Sequence, residues 1–226
     1  ITPRTRLLML NSPHNPSGAV FSAADLDALE AIVRDTNVLI VSDEVYEHIV
    51  FDGGRHESLA RDPDIAARTV VISSFGKTYH TTGWKVGYCA APAHLSAEVA
   101  RIHQFVTYSV NGALQHAYAD MVDRDPLCTA LAPFYQEKRD LFLRLMAGSR
   151  FRPLPCHGTF FQLMDYSAIT EEQDSAFALR LIREHGVAAI PLTPFLSEED
   201  AGPIVRFCFA KRPETLERAA ARLRTV

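Results

Sequence analysis

Two unbroken apolar runs, Val38-Leu39-Ile40-Val41 and Thr69-Val70-Val71-Ile72, constrain the fold more than any other feature of the chain. A strand with one wet face alternates apolar and polar residues, so a continuous β-branched run predicts a strand covered on both faces. Two further runs, at 6–10 (RLLML) and 86–90, have the same character. After the first of these, Ser22 and Asp25 form a capping box. Leu26, Leu29, Ile32 and Val33 follow at helical spacing, predicting a helix that ends near Asp35. Such strands alternating with an amphipathic helix imply an α/β fold, with a mostly parallel sheet between helical layers in a three-layer α/β/α arrangement.

The pattern changes after about residue 92. Helices are predicted at 97–106, 110–122 and 131–146, strands near 151–154 and 159–164, a helix at 174–185, strands at 187–190 and 204–209, and a closing helix at 214–223. Short strands mixed with helices indicate a smaller α+β domain. The expected division is therefore 1–123, part of a large sheet domain, and 124–226, a small domain that includes the long helix at its start.

Bulk properties narrow the function. The chain has 226 residues, 47% hydrophobic and 22% charged, the balance of an ordinary globular protein. A net charge of -4 gives no basic field for nucleic acid. No apolar run reaches the roughly 18 residues that span a bilayer, so no membrane partner is expected. The start, Ile1-Thr2-Pro3-Arg4, carries no signal pattern and no initiator Met, which points to a fragment or a processed chain. Cys89, Cys128, Cys156 and Cys208 are far apart and form no CxxC pair; three lie in apolar surroundings, which favours buried reduced thiols of a cytoplasmic protein over disulfides or a zinc site. No paired histidine spacing suggests a metal, and no GxSxG, P-loop or GxGxxG segment anchors a hydrolase, nucleotidase or dinucleotide reading.

Ligands of open α/β sheets sit outside the carboxyl ends of the strands. The first run is followed by Asn11-Ser12-Pro13-His14-Asn15-Pro16-Ser17-Gly18, the second by Asp43 and Tyr46, and the third by Ser74 and Lys77, with Lys85 eight residues beyond that lysine. Each alone is ordinary: strand-end aspartates usually cap turns, and most lysines are solvated. His14 and His80 read as solvated loop residues, and Phe160-Phe161 as core of the small domain. Together the polar groups suit pyridoxal 5'-phosphate, which needs an amine for its aldehyde, an anion at its ring nitrogen, donors at its ring oxygen and a phosphate cradle.

The segments NSPHNPSG, SDEVYEHIVFDG, SSFGKTYHTTGWKVGYCAAP and IVRFCFAK, in this order, resemble the signature of the fold-type I, class I/II aminotransferases. GWKVG, with lysine where other members have arginine, is similar to the branch of methionine, glutamine–phenylpyruvate and kynurenine aminotransferases. The resemblance implies that Lys77 is the catalytic lysine that holds the cofactor and Asp43 the partner of the pyridine nitrogen. It assigns Asn15 and Tyr46 to the ring oxygen, Ser74 and Lys85 to the phosphate, and Arg206, with Asn15, to the substrate carboxylate.

It further implies transamination between an amino acid (methionine, glutamine, kynurenine or an aromatic one) and a 2-oxo acid by a cytoplasmic homodimer. A carbon–sulfur β-lyase on the same residues, or a non-catalytic regulatory or inactive fragment, are the alternatives. Family members also carry a further N-terminal stretch that supplies a phosphate loop, a ring-stacking aromatic and part of the dimer interface.

Overall fold

The computed structural model of the chain describes residues 1–124, 128–196 and 202–226. It contains two compact units, one formed by 1–13 and 20–131, the other by 14–19 and 132–226.

The first unit is built on a four-stranded sheet. Strands β1 (Leu7–Asn11), β2 (Leu39–Asp43), β3 (Thr69–Ser74) and β4 (Gly87–Ala90) lie in the order β1-β2-β3-β4. β1 pairs with β2 and β2 with β3 in parallel, but β4 runs antiparallel to β3, Gly87 opposite Ser74. Reading the 86–90 run as one more parallel strand is thus corrected. The return from Ser74 to Gly87 is made by the single-turn helix α3 (Phe75–Thr78) and a 3₁₀ turn, Thr82–Trp84. Residues 75–86 hold only those two short turns and no full helix of the kind that usually carries a parallel crossover.

Between β1 and β2 comes α1 (Ala23–Val33), opened by the expected capping box, in which Ser22 and Asp25 bond each other's backbone. α2 (Pro63–Ala66) precedes β3. Leu26 and Val33 of α1 join Ile40, Leu59 and Ile65 in a buried cluster, with Leu8 and Leu10 packed against it. One face of the sheet is therefore core.

The other face points Leu7, Met9, Leu39 and Ile72 outward, as strand alternation requires, and all four are exposed, Met9 to 69%. The expected cover on both faces is not supplied by the described residues. The 226-residue chain by itself should bind an apolar dye through this surface. Met9→Lys with Ile72→Lys should lower the bound fluorescence, each at under about 0.5 kcal/mol of stability, the usual range for a surface change. Undiminished dye binding by the double variant would locate the dye elsewhere. Helices α4 (Ala93–Val106) and α5 (Gly112–Arg124) complete this part of the chain.

The second unit takes in α6 (Cys128–Met146) from Ala132 onward, the first residues of that helix belonging to the first unit. Its sheet is antiparallel throughout, in the order β5 (Arg152–Pro153), β6 (Phe161–Asp165), β8 (Ile204–Cys208) and β7 (Ile190–Pro191). Helix α7 (Asp174–His185) ends at Gly186, whose φ of +63° is the left-handed conformation that glycine adopts without a Cβ penalty. α8 (Pro213–Leu223) closes the chain. The core holds Met164, Tyr166, Phe177, Leu181, Phe209 and Leu223, all fully buried, with the Tyr166 and Phe177 rings stacked at 4.1 Å.

Among the described residues no cysteine forms a disulfide, and only Cys156 is buried; Cys89 is exposed and the other two are intermediate. The expectation of buried thiols holds for Cys156 alone. No helix among the described residues is long and apolar enough to cross a membrane.

Candidate active site

In the first unit the parallel register sets Asn11 opposite Asp43 at the carboxyl ends of β1 and β2. The main-chain carbonyl of Asp43 accepts two bonds from β1, from the Asn11 side chain at 2.9 Å and from the Ser12 amide at 3.1 Å. Its Oδ1 accepts the Val45 amide at 3.1 Å, turning the chain out of the sheet. That turn brings Tyr46 into a buried position. Asp43 is consequently fixed from both sides of its own peptide while its side chain stays half-buried at the sheet edge.

On the next strand Ser74 caps α3, its Oγ accepting the Gly76 amide at 3.2 Å. Lys77 lies in α3, and its Nζ sits 5.6 Å from the centroid of the Tyr46 ring. Lys85 follows the 3₁₀ turn with φ 55°, a left-handed conformation uncommon outside glycine. Two residues later Gly87 pairs with Ser74, so the turn carries Lys85 back to the Ser74 end of the sheet. A Cβ on Gly87 would stand 2.5 Å from the Ser73 carbonyl oxygen, an approach that only glycine permits. Phe75 braces this segment by stacking on Tyr118 at 4.9 Å, with Trp84 against the same tyrosine at 5.5 Å.

The structure therefore brings Asp43, Tyr46, Ser74, Lys77 and Lys85 to neighbouring strand ends of one unit. Asn15 and Arg206 belong to the other. There Arg206 sits in β8 between Leu163 of β6 and Ile190 of β7. Its guanidinium donates to Asn15 Oδ1 and lies over two rings, Phe161 at 4.0 Å and Phe195 at 5.4 Å. Phe161 is buried, as expected of core, but it also backs the guanidinium.

The turn bearing Asn15 is closed locally. His14 Nδ1 shares a hydrogen bond of 2.7 Å with Ser17 Oγ, and the Gly18 carbonyl accepts the amides of His157 and Gly158. Burial lowers the His14 pKa.

Three carboxylates that sequence reasoning did not single out are buried or half-buried: Glu44 and Glu47 beside Asp43 and Tyr46 in the chain, and Asp174 in the other unit. Glu44, the neighbour of Asp43, points to the opposite face of the sheet and accepts from Ser42 Oγ at 2.8 Å, Ser58 Oγ at 2.7 Å and His56 Nε2 at 2.6 Å. Glu47 accepts from Ser73 Oγ at 2.8 Å and from the Tyr88 hydroxyl at 3.0 Å. Asp174 accepts the amides of Leu192 and Thr193. Burial opposes ionisation of Asp174, but the bonds from Thr193 and Leu192 outweigh it and hold its pKa below the ordinary value. Glu44 alone had a faint signal: alternation turns the residue after the strand-end Asp43 inward.

An amine, a carboxylate, a phenol, a hydroxyl and an ammonium along one edge of a mostly parallel sheet form the donor set that a pyridoxal phosphate site requires. The class I and II aminotransferase family matches residues 1–223, and the chain belongs to it. Over 225 residues the chain is 48% identical to the methionine aminotransferase of Escherichia coli (strain K12), covering 99% of this chain and 58% of that protein. It is 34% identical to a kynurenine–oxoglutarate transaminase of Dictyostelium discoideum, over 96% of this chain and 56% of the relative.

A solved structure from Escherichia coli, of a protein with methionine aminotransferase function, superposes with a TM-score of 0.96 at 48% identity. It covers 100% of this chain and 59% of that one. The chain thus spans less than two thirds of the length of these relatives. Enzymes of the family use pyridoxal 5'-phosphate.

Proposed function

We propose that this chain carries the cofactor lysine and the substrate clamp of an aminotransferase that moves an amino group between an amino acid and a 2-oxo acid. The observation that carries the reading is Lys77, whose Nζ faces Tyr46 beside the strand end that bears Asp43. When bound, pyridoxal 5'-phosphate supplies a carbonyl carbon that captures the substrate amine and a ring that absorbs the electron pair freed at its Cα.

Each residue then has a task matched to its chemistry. Asp43 keeps a proton on the ring nitrogen by holding a negative charge against it. Tyr46 and Asn15 donate to the ring oxygen, while Ser74 and Lys85 hold the phosphate. Lysine at 85 acts there as a point charge, where arginine would offer a planar fork. Arg206 binds the substrate carboxylate in two-point fashion, which sets its direction as well as its charge. The Lys77 amine would serve as the base that takes the substrate α-proton and delivers it to the cofactor's carbonyl-derived carbon.

The names of the relatives support donors with extended thioether or aromatic side chains, methionine and kynurenine first. A homodimer in the cytoplasm belongs to the same reading. The four unbridged cysteines suit a reducing compartment, and Phe105, Val106 and Tyr108 around the end of α4 are exposed in a way a second copy would relieve.

The test is borohydride reduction of the full-length protein mixed with the cofactor, followed by peptide mapping. An adduct on Lys77 is expected. An adduct confined to another lysine, or none, would overturn the reading.

A further inference from the structure

We propose that Asp174 is a positioning residue for the carboxylate clamp, acting through the Thr193–Phe195 turn to hold Phe195 against Arg206. The proposal rests on the reading of Arg206 as the clamp and names what keeps it ready.

Asp174, 4% exposed, is the first residue of α7. Within its own helix the carboxylate takes the Ser175 hydroxyl on Oδ1 at 3.2 Å, while its shorter bonds reach 18 residues along the chain. Oδ2 accepts the Leu192 amide at 2.6 Å and the Thr193 amide at 2.7 Å, and Oδ1 accepts the Thr193 hydroxyl at 2.6 Å. Bonds of this length to an ionised group are strong ones. They tie the end of β7 and the start of the 3₁₀ turn Thr193–Phe195 to α7.

Phe195 closes that turn, its amide bonded to the Leu192 carbonyl at 2.8 Å. Its ring is 47% exposed, so burial does little to fix it, yet it lies 5.4 Å from the Arg206 guanidinium. The backbone must therefore supply the order that packing does not, and Asp174 is what anchors the backbone. A ring held there sheds water from one side of the guanidinium and limits its rotamers. A carboxylate arriving at Arg206 then meets a cation that is already oriented and less screened.

The contribution is to binding, common to substrate and transition state, so it appears in KM and not in kcat. In the full-length enzyme Phe195→Ala is expected to raise KM for the amino donor, and the dissociation constant of an unreactive straight-chain monocarboxylate measured by calorimetry. The rise is roughly three- to tenfold, the scale of a cation–π contact. kcat and the absorption spectrum of the bound cofactor stay as in wild type.

Phe195→Tyr, which keeps the ring, keeps wild-type values. Asp174→Asn, which replaces an acceptor oxygen by a donor, gives a rise of the same size. The double variant Asp174→Asn/Phe195→Ala rises no further than the larger single one, because the two act in series. Thr193→Val removes one of the three bonds and gives a smaller rise; it also serves should Asp174→Asn fail to fold. Additive effects in the double variant, or a rise with Phe195→Ala and none with Asp174→Asn and Thr193→Val, overturn the proposal. Arg206→Ala separates the layers: if it leaves monocarboxylate binding unchanged, the clamp reading fails first, whatever Asp174 does.

Discussion

Lys77→Ala in the full-length enzyme is expected to lose transamination by at least about four orders of magnitude while the protein stays folded. Two tasks disappear together. On the proposed reading, the amine that joins the cofactor is gone, and so is the base that moves the substrate α-proton; positioned proton transfer alone contributes about 10²–10⁴-fold. Covalent attachment adds to this, because it splits one hard amine exchange into easier steps.

The rest of the donor set remains. Asp43 keeps its bonds from Asn11, Ser12 and Val45, and Ser74 still caps α3. Cofactor should thus bind without a covalent link and wash out on dialysis. Lys77 is half-buried in a single-turn helix, so its loss creates no core cavity. The thermal midpoint without cofactor should match that of wild type. Rates and midpoints on the same preparations decide the matter. A variant turning over within about tenfold of wild type would deny Lys77 the proton-transfer role, which is worth more than that.

The grouping of the candidate residues was legible in the sequence, because their residue types stand out at strand ends. Aspartate, serine and lysine just beyond β-branched runs are ordinary one by one, and it is their recurrence after successive strands that pointed to one edge. The helices were equally plain where a cap or a strong period marks them: the capping box at Ser22 opens α1, and α7 spans the predicted 174–185.

The direction of β4 was not visible. Apolar composition records burial and not sense, and Val86 to Ala90 looks the same whichever way it runs. What decides the sense is the short return through α3 and the left-handed residues His80 and Lys85. Exposure was also misjudged on one sheet face, since a run such as Leu7 to Leu10 tells what the strand would prefer to meet and not what these residues provide. Asp174 was hidden for a different reason. At the start of a helix it looks like an ordinary cap, and its partners lie far along the chain.

The largest stability effect is expected at Glu44. Its side chain is 3% exposed and holds three donors: Ser42 on β2, and His56 and Ser58 on the segment that follows. Glu44→Ala leaves two hydroxyls and an imidazole nitrogen without an acceptor inside the protein. Breaking a buried pair from one side costs about 3–5 kcal/mol. Glu44→Gln keeps a carbonyl for the serines and an amide that a neutral imidazole can accept, so its cost is nearer about 1–2 kcal/mol.

The pH dependence separates this from a packing effect. Burial by itself pushes the Glu44 pKa up, but the bonds from His56, Ser58 and Ser42, with the charge of His56, pull it below its ordinary 4.5. The folded chain thus binds the Glu44 proton less readily than the unfolded chain does. The stabilisation is complete above pH 4.5 and is lost as pH falls through the lower folded value. Other carboxylates have lowered values too, Asp165 at about 2 among them, so the informative quantity is the difference between wild type and Glu44→Gln. Urea unfolding of both from neutral to acid pH should show that difference constant down to about pH 4.5 and shrinking below it. A gap that keeps its full size in acid would mean that the ionised carboxylate contributes nothing, and that shape alone accounts for Glu44.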